Sequence, residues 1–289
     1  MPPDEQGPPE EVASPEPTAS SGRSAGAGMI DLHCHLLPGI DDGAADLGEA
    51  LGMCRLAAAD GCAVVVATPH LRHEFWWNGD RAHLEALHQQ LRDALSGEPE
   101  VLLGGEIAVN SQSAEEIFAL PDGELLTLAD SRYLLLEFDY LGLGPNPLEL
   151  VRELSVSGWF PIVAHPERFG WLAGNLPLAA ALVEHGASLQ LTARSVTGKL
   201  GRAAQKSSEE LLDAELVQLI ASDAHGMEVR PPGLGAAYRY VGKRWGEAIA
   251  EKLFITNPRA VVENRPLTAA AGDQLRVSES VPAPGGGEG

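Results

Sequence analysis

Cysteine is scarce in this chain of 289 residues, with only Cys34, Cys54 and Cys62. Three thiols so close together cannot frame a disulfide-stapled fold, and no secretory leader precedes them, so a reducing cytoplasm is the expected setting. None is followed six residues later by arginine; those positions hold Ile40, Asp60 and Thr68. The spacing by which a cysteine-nucleophile phosphatase holds a phosphate over its thiolate is therefore missing. Basic residues are also few. Lys and Arg number 20 against 41 Asp and Glu, a formal charge of -21, which argues against nucleic acid or anionic lipid as a partner of the whole surface. No apolar run approaches the roughly 20 residues needed to cross a bilayer, so no membrane insertion is expected. An anionic substrate would have to meet a local positive site, such as bound metal.

Large apolar side chains are almost absent from residues 1–28, which are rich in Pro, Glu, Ser, Gly and Ala and are expected to be disordered. Met29 stands directly before the first chemical motif and is a candidate start codon. Residues 29–268 are expected to form one domain, and residues 269–289, ending in Pro-Gly-Gly-Gly-Glu-Gly, a second disordered tail.

Within that domain, short apolar and often β-branched runs alternate with helical patterns. The runs cover residues 29–32, 63–67, 101–104, 133–136, 161–164, 188–191 and 217–221, giving seven expected strands. Between them, Asp46 with Glu49 caps a helix that Gly61 ends. Further helical patterns occupy residues 81–95, 147–157, 177–185, 208–214 and 236–253. Such alternation predicts parallel βαβ units, in a closed barrel or an open sheet. The residues just past the strands favour the barrel. Six of the seven strands run into His, Asp or Glu: His33 and His35, His70, Glu106, Glu137, His165, and Asp223 with His225. Ligands spread over many strand ends are what a barrel collects at its C-terminal rim, whereas an open sheet gathers them at one switch point.

Side chains two apart on extended backbone share a face, so His33 and His35 can reach one ion while Cys34 points away; Asp223 and His225 repeat the spacing. Imidazole with carboxylate suits Mn²⁺, Zn²⁺ or Fe²⁺, and several carboxylates together repel unless cations lie between them. Two or three ions could bridge a water and clamp a phosphate for in-line attack. Phe75, Trp76 and Trp77 could stack on a substrate ring or simply pack. His73, His83, His88 and His185 lack partners at ligand spacing and are expected at the surface.

Asp31-Leu32-His33-Cys34-His35, Leu37-Pro38-Gly39-Ile40-Asp41-Asp42-Gly43, Ala67-Thr68-Pro69-His70, Ala164-His165-Pro166-Glu167-Arg168 and Ser222-Asp223-Ala224-His225 together resemble the PHP (polymerase and histidinol phosphatase) superfamily. More narrowly, residues 29–267 are similar to the bacterial manganese-dependent protein-tyrosine phosphatases of capsule and exopolysaccharide operons. The resemblance implies a distorted TIM-like (β/α)7 barrel holding three divalent ions, Mn²⁺ first among Fe²⁺, Zn²⁺, Co²⁺ and Mg²⁺. It implies one ion on His33, His35, Glu106 and Asp223, a second on Glu106, Glu137 and His165, and a third on Asp42, His70 and His225, with Asp41 the rival of Asp42. Arg168 and Arg230 would grip the substrate phosphate and, with Asp42 and His70, count as catalytic, while a metal-bridging hydroxide attacks phosphorus. The implied substrate is a phosphotyrosine protein, a bacterial tyrosine kinase governing polysaccharide assembly. A small-metabolite phosphatase, a phosphodiesterase and a non-catalytic metal-stabilised scaffold are the rival readings. Thr192, where Asn is expected, the aromatic trio, and the loop Phe138-Asp139-Tyr140-Leu141-Gly142 depart from the family pattern and bear on substrate shape.

Overall fold

A computed structural model describes residues 28–97, 99–110 and 125–267; the two expected disordered tails, except Gly28, lie outside the described residues. Among the described residues nine strands are present: β1 (Met29–Cys34), β2 (Cys62–Ala67), β3 (His70–Leu71), β4 (Glu100–Leu103), β5 (Glu106–Val109), β6 (Tyr133–Phe138), β7 (Phe160–Ala164), β8 (Ser188–Thr192) and β9 (Leu219–Ala221). Every pairing is parallel, in the orders β1-β2-β4 and β3-β5-β6-β7-β8-β9.

The two sheets are one set of seven staves, two of them bent. Thr68-Pro69 separates β2 from β3, and Gly104-Gly105 separates β4 from β5. The ladder continues across both breaks, because the Gly104 amide donates to the Ala67 carbonyl at 2.8 Å and the Glu106 amide to the Pro69 carbonyl at 3.0 Å. Pro69 has no amide to give, and the glycines are required by close approach: a Cβ on Gly105 would lie 2.2 Å from Leu71 Cδ1. Glu106 therefore opens the upper half of a bent stave, where the sequence pattern predicts the end of a straight strand. Between β1 and β9 the ring is joined at its rim, by a bridge between Cys34 and Ala224, by the Asp223 amide on the His33 carbonyl (2.8 Å) and by the His35 amide on the Ala224 carbonyl (2.9 Å).

Around the staves lie α1 (Leu47–Ala59), α2 (Arg81–Ala94), α3 (Pro147–Val156), α4 (Leu176–Glu184), α5 (Ala193–Val196), α6 (Arg202–Asp213), α7 (Gly235–Trp245), α8 (Glu247–Glu251) and α9 (Asn257–Val262). Asp46 caps α1 as expected, accepting from the Glu49 amide at 2.9 Å. Two expectations change. The helix expected from residue 208 begins at Arg202, and the one expected over residues 236–253 is broken at Gly246, whose φ of +104° ends α7. No described helix is long and apolar enough to cross a membrane.

Ile30, Leu32, Val66, Leu135, Ile162 and Leu219 form a plug inside the ring, and a larger apolar layer packs between staves and helices. The plug fills the interior below the rim, so the polar strand ends stand above a dry floor.

Candidate metal centre

A bulge in β1 aims the first two histidines. Asp31 and Cys34, three residues apart, pair with Val65 and Ala67, two apart, so one extra residue enters the strand between them. Below it, Ile30 and Leu32 face the interior plug; above it, Cys34 joins the outer layer, leaving His33 and His35 for the rim. Asp31, fully buried, sustains the bulge by accepting from the His33 amide at 3.3 Å and the Ser222 amide at 2.9 Å. Two other rim residues follow strands in left-handed backbone, His165 (φ 35°) and Asp223 (φ 52°). Such strain costs on the order of 1–3 kcal/mol at a non-glycine residue and collects where side chains must be aimed.

All nine expected ligands meet there. His33 Nε2 lies 3.3 Å from His35 Nε2, 3.2 Å from Glu106 Oε1 and 3.4 Å from Asp223 Oδ1. His70 Nδ1 is 3.1 Å from Glu106 Oε2 and 3.4 Å from Glu137 Oε2, while His165 Nε2 is 3.1 Å from Glu106 Oε1 and 3.6 Å from Glu137 Oε1. Asp42 Oδ1 sits 3.4 Å from both His70 Nε2 and His225 Nε2. Three groups could each hold an ion: His33, His35 and Asp223; His70, Glu106 and Glu137; and His35, Asp42, His70 and His225. These differ from the implied sets in that His35 and His70 stand between groups, while His165 reaches the centre through Glu106 and Glu137.

The donor set fits divalent ions on its spacing. Ligand atoms about 2.1 Å from an ion in tetrahedral or octahedral arrangement are roughly 3.0–3.4 Å from one another, and most of these contacts fall near that range, long for charged hydrogen bonds. His33 Nε2 and His35 Nε2 face each other, and two lone pairs at 3.3 Å need a cation or a proton between them. Despite these short distances, His70 Nδ1 and Glu137 Oε2 are buried and make no hydrogen bond of ordinary geometry among the described residues.

Electrostatics without ions show the same need. Burial, then the nearby Glu106, lifts the Glu137 carboxyl to about 7, while burial pushes His165 down to about 4. For His33, burial would lower the pKa, but Glu106 and Asp223 outweigh it and the net shift is upward. Asp223 is held well below the usual carboxylate range, with burial opposing His33, His165 and Arg230.

Outer contacts fix the ring orientations. His35 Nδ1 bonds Asp41 Oδ2 at 3.0 Å, His33 Nδ1 bonds Gln190 Oε1 at 3.2 Å, and His225 Nδ1 bonds the Asp223 carbonyl at 3.1 Å, each directing Nε2 toward the centre. The two rival aspartates thus occupy different places. Asp42 stands among the histidines, and Asp41 lies behind His35, also accepting from the His70 amide (3.1 Å) and the Gly43 amide (2.9 Å). Arg168 donates to Asp223 Oδ2 at 2.7 Å and Arg230 donates to the same oxygen, so both guanidinium groups converge on the rim. Glu167, beside Arg168 in sequence, accepts from the Thr192 amide at 3.1 Å.

Gln190 and Asp31 carry no ligand signal in the sequence, since only the bulge and the β8 register bring them to His33. His73, expected at the surface without a partner, packs 5.0 Å from the His70 ring. Cys34 is fully buried, and burial raises its thiol well above the ordinary value, which leaves no thiolate for attack.

The chain is similar to proteins already characterised. The family described as "Capsular polysaccharide synthesis, CpsB/CapC" matches residues 29–263. The tyrosine-protein phosphatase YwqE of Bacillus subtilis is 36% identical over 205 residues, covering 70% of this chain and 79% of that protein. The tyrosine-protein phosphatase CpsB of Streptococcus pneumoniae is 27% identical over 241 residues, covering 81% and 98%. A crystal structure from work on YwqE and CpsB, described as unique metal-dependent tyrosine phosphatases, superposes with a TM-score of 0.75 at 30% identity, covering 83% of this chain and 96% of that one.

Proposed function

The chain belongs to the CpsB/CapC family of capsular polysaccharide synthesis, and on that premise we propose that it is a metal-dependent protein-tyrosine phosphatase. The observation that carries the reading is the nine-residue donor set, at ligand-to-ligand spacing, with two arginines converging on its edge.

Three ions, Mn²⁺ first among the candidates, would be held by His33, His35, Glu106 and Asp223, by Glu106, Glu137 and His165, and by Asp42, His70 and His225. Ions so held supply positive charge to the phosphate oxygens and lower the pKa of the attacking water. The rest is done by the chain. Arg168 and Arg230, each sharing Asp223 and each with further N–H donors, turn toward two phosphate oxygens and fix the phosphorus relative to the carboxylates. Asp223 keeps both guanidinium groups aligned before substrate arrives. Glu106 and Glu137, ionised when cations are present, hold the opposite side. A phenolate leaving group, with a pKa of about 10, needs no strong acid to depart. Because the Cys34 thiol is buried and protonated, no covalent phosphoenzyme forms on it. The relatives named tyrosine-protein phosphatases support phosphotyrosine as the substrate class; our reading places that phosphotyrosine on a bacterial tyrosine kinase that governs polysaccharide assembly, in the cytoplasm.

A substrate panel tests this. With Mn²⁺-loaded protein, kcat/KM for a phosphotyrosyl peptide should exceed those for histidinol phosphate and for a phosphodiester. A preference for either of the others would reassign the enzyme to small metabolites or to diesters, and no turnover of any phosphoester at full metal occupancy would leave a scaffold.

A further inference from the structure

Two aromatic rings lean against histidines on opposite flanks of the carboxylate pair. Trp76 lies parallel to His70, with centroids 5.2 Å apart and planes 10° apart, and Tyr140 lies parallel to His165 at 5.9 Å and 10°. His70 and His165 approach different oxygens of Glu106, each at 3.1 Å. Trp76 and Tyr140 therefore bracket the centre. Of the aromatic trio only Trp76 does this; Phe75 is 73% exposed, and Trp77, 59% exposed, lies under Arg72.

Tyr140 also touches the phosphate side. Its ring centre is 5.4 Å from the Arg168 guanidinium carbon, and Phe169 supports it edge-on at 5.4 Å. Despite these contacts Tyr140 remains 39% exposed, so a packed, braced ring keeps open surface beside the arginine. An aryl phosphate carries its ring one ester bond from phosphorus. With the Tyr140 ring centre 5.4 Å from the Arg168 guanidinium carbon, a phosphate on Arg168 would bring its ester ring to the side on which Tyr140 stands, and aromatic pairs attract at centroid distances of roughly 4.5–7 Å.

We infer that Tyr140 is the specificity-determining residue of this site, receiving the aryl ring of the substrate while Arg168 holds its phosphate and Trp76 closes the opposite flank. The inference rests on the phosphomonoesterase reading above and adds the residue that selects aryl over alkyl esters. The loop that departs from the family pattern, Phe138-Asp139-Tyr140-Leu141-Gly142, thereby acquires a role.

The test compares two peptides of one sequence, carrying phosphotyrosine or phosphoserine, with the Mn²⁺-loaded full chain. Tyr140→Ala should lower the ratio of their kcat/KM values about tenfold, the scale of one lost aromatic pair. Tyr140→Phe, which keeps the ring, should hold the ratio within about twofold. Tyr140→Leu, which keeps apolar bulk but has no flat face, should behave as Ala does and serves if Ala fails to fold; thermal melts of each variant verify folding. An equal loss for both peptides, no loss, or failure of Phe to restore the ratio overturns the inference and leaves the phosphatase reading standing. A wild-type chain that hydrolyses neither peptide sinks both.

Discussion

Replacing Asp41 with Asn perturbs the metal centre without touching an ion directly. Asp41 accepts three hydrogen bonds, from His35 Nδ1 (3.0 Å), the His70 amide (3.1 Å) and the Gly43 amide (2.9 Å). An asparagine offers one acceptor oxygen, so its NH₂ must face a donor on one side. Leaving a buried donor unmet costs about 1–3 kcal/mol, and the imidazole loses the anion that holds its proton on Nδ1 and its lone pair on Nε2. Outer-shell changes of this kind weaken metal binding roughly 10- to 100-fold. Calorimetric titration of the metal-free variant should show Mn²⁺ affinity reduced by that factor, with much of kcat recovered at saturating Mn²⁺. Asp42→Asn, which alters a side chain standing among His70 and His225, should lose kcat that no Mn²⁺ concentration restores. If Asp41→Asn binds Mn²⁺ within twofold of wild type, or if the two variants fail alike, the assignment of Asp41 behind His35 is wrong.

Other perturbations probe the same geometry. Glu137, raised to about 7 from an ordinary 4.5, contributes stability to the metal-free fold that is complete below the ordinary value and lost as pH rises through 7, up to about 3 kcal/mol. Mn²⁺ affinity should accordingly climb as pH rises through about 7 and continue to climb above it while His33, His35 and His70, whose pKa values are also raised, give up their protons to the metal; calorimetry in buffers of different ionisation heat reads the affinity and the proton release together, and a flat profile from about pH 5 to 8 would contradict it. Gly105→Ala would bring a Cβ to 2.2 Å from Leu71 Cδ1 and should cost about 1–3 kcal/mol in denaturant melts; an unchanged midpoint would show that the bend between β4 and β5 yields easily. Cys34→Ala should keep kcat within about threefold while losing about 1–2 kcal/mol of stability, and abolition of turnover in a folded variant would return the thiol to the mechanism.

The alternation of apolar runs and helical patterns is enough to read seven staves, because each stave is a short buried run bounded by turn residues. Eight of the nine expected ligands are legible for the same reason, since each follows such a run within a few residues; Asp42, in the loop after His35, has no such signal and comes from the family resemblance alone. Geometry made by single residues is not. A bulge between Asp31 and Cys34 leaves no period in the sequence, and Thr68-Pro69 and Gly104-Gly105 read as strand ends because a two-residue continuation such as His70–Leu71 is too short to show alternation. Gly246 is visible inside an apolar helical pattern, yet one glycine rarely outweighs the periodic residues around it until a positive φ is seen. Contacts across sequence, Gln190 on His33 and Tyr140 on His165, depend on stave order and have no local signal.

The central claim meets its most direct test in one preparation. Protein purified without chelator is analysed for metal, assayed on a phosphotyrosyl peptide, stripped, assayed again and reloaded with Mn²⁺. The account predicts close to three ions per chain, loss of phosphate release on stripping, and recovery on reloading in wild type but not in His35→Ala. Undiminished turnover by protein shown to be metal-free, or full activity of His35→Ala, would contradict it.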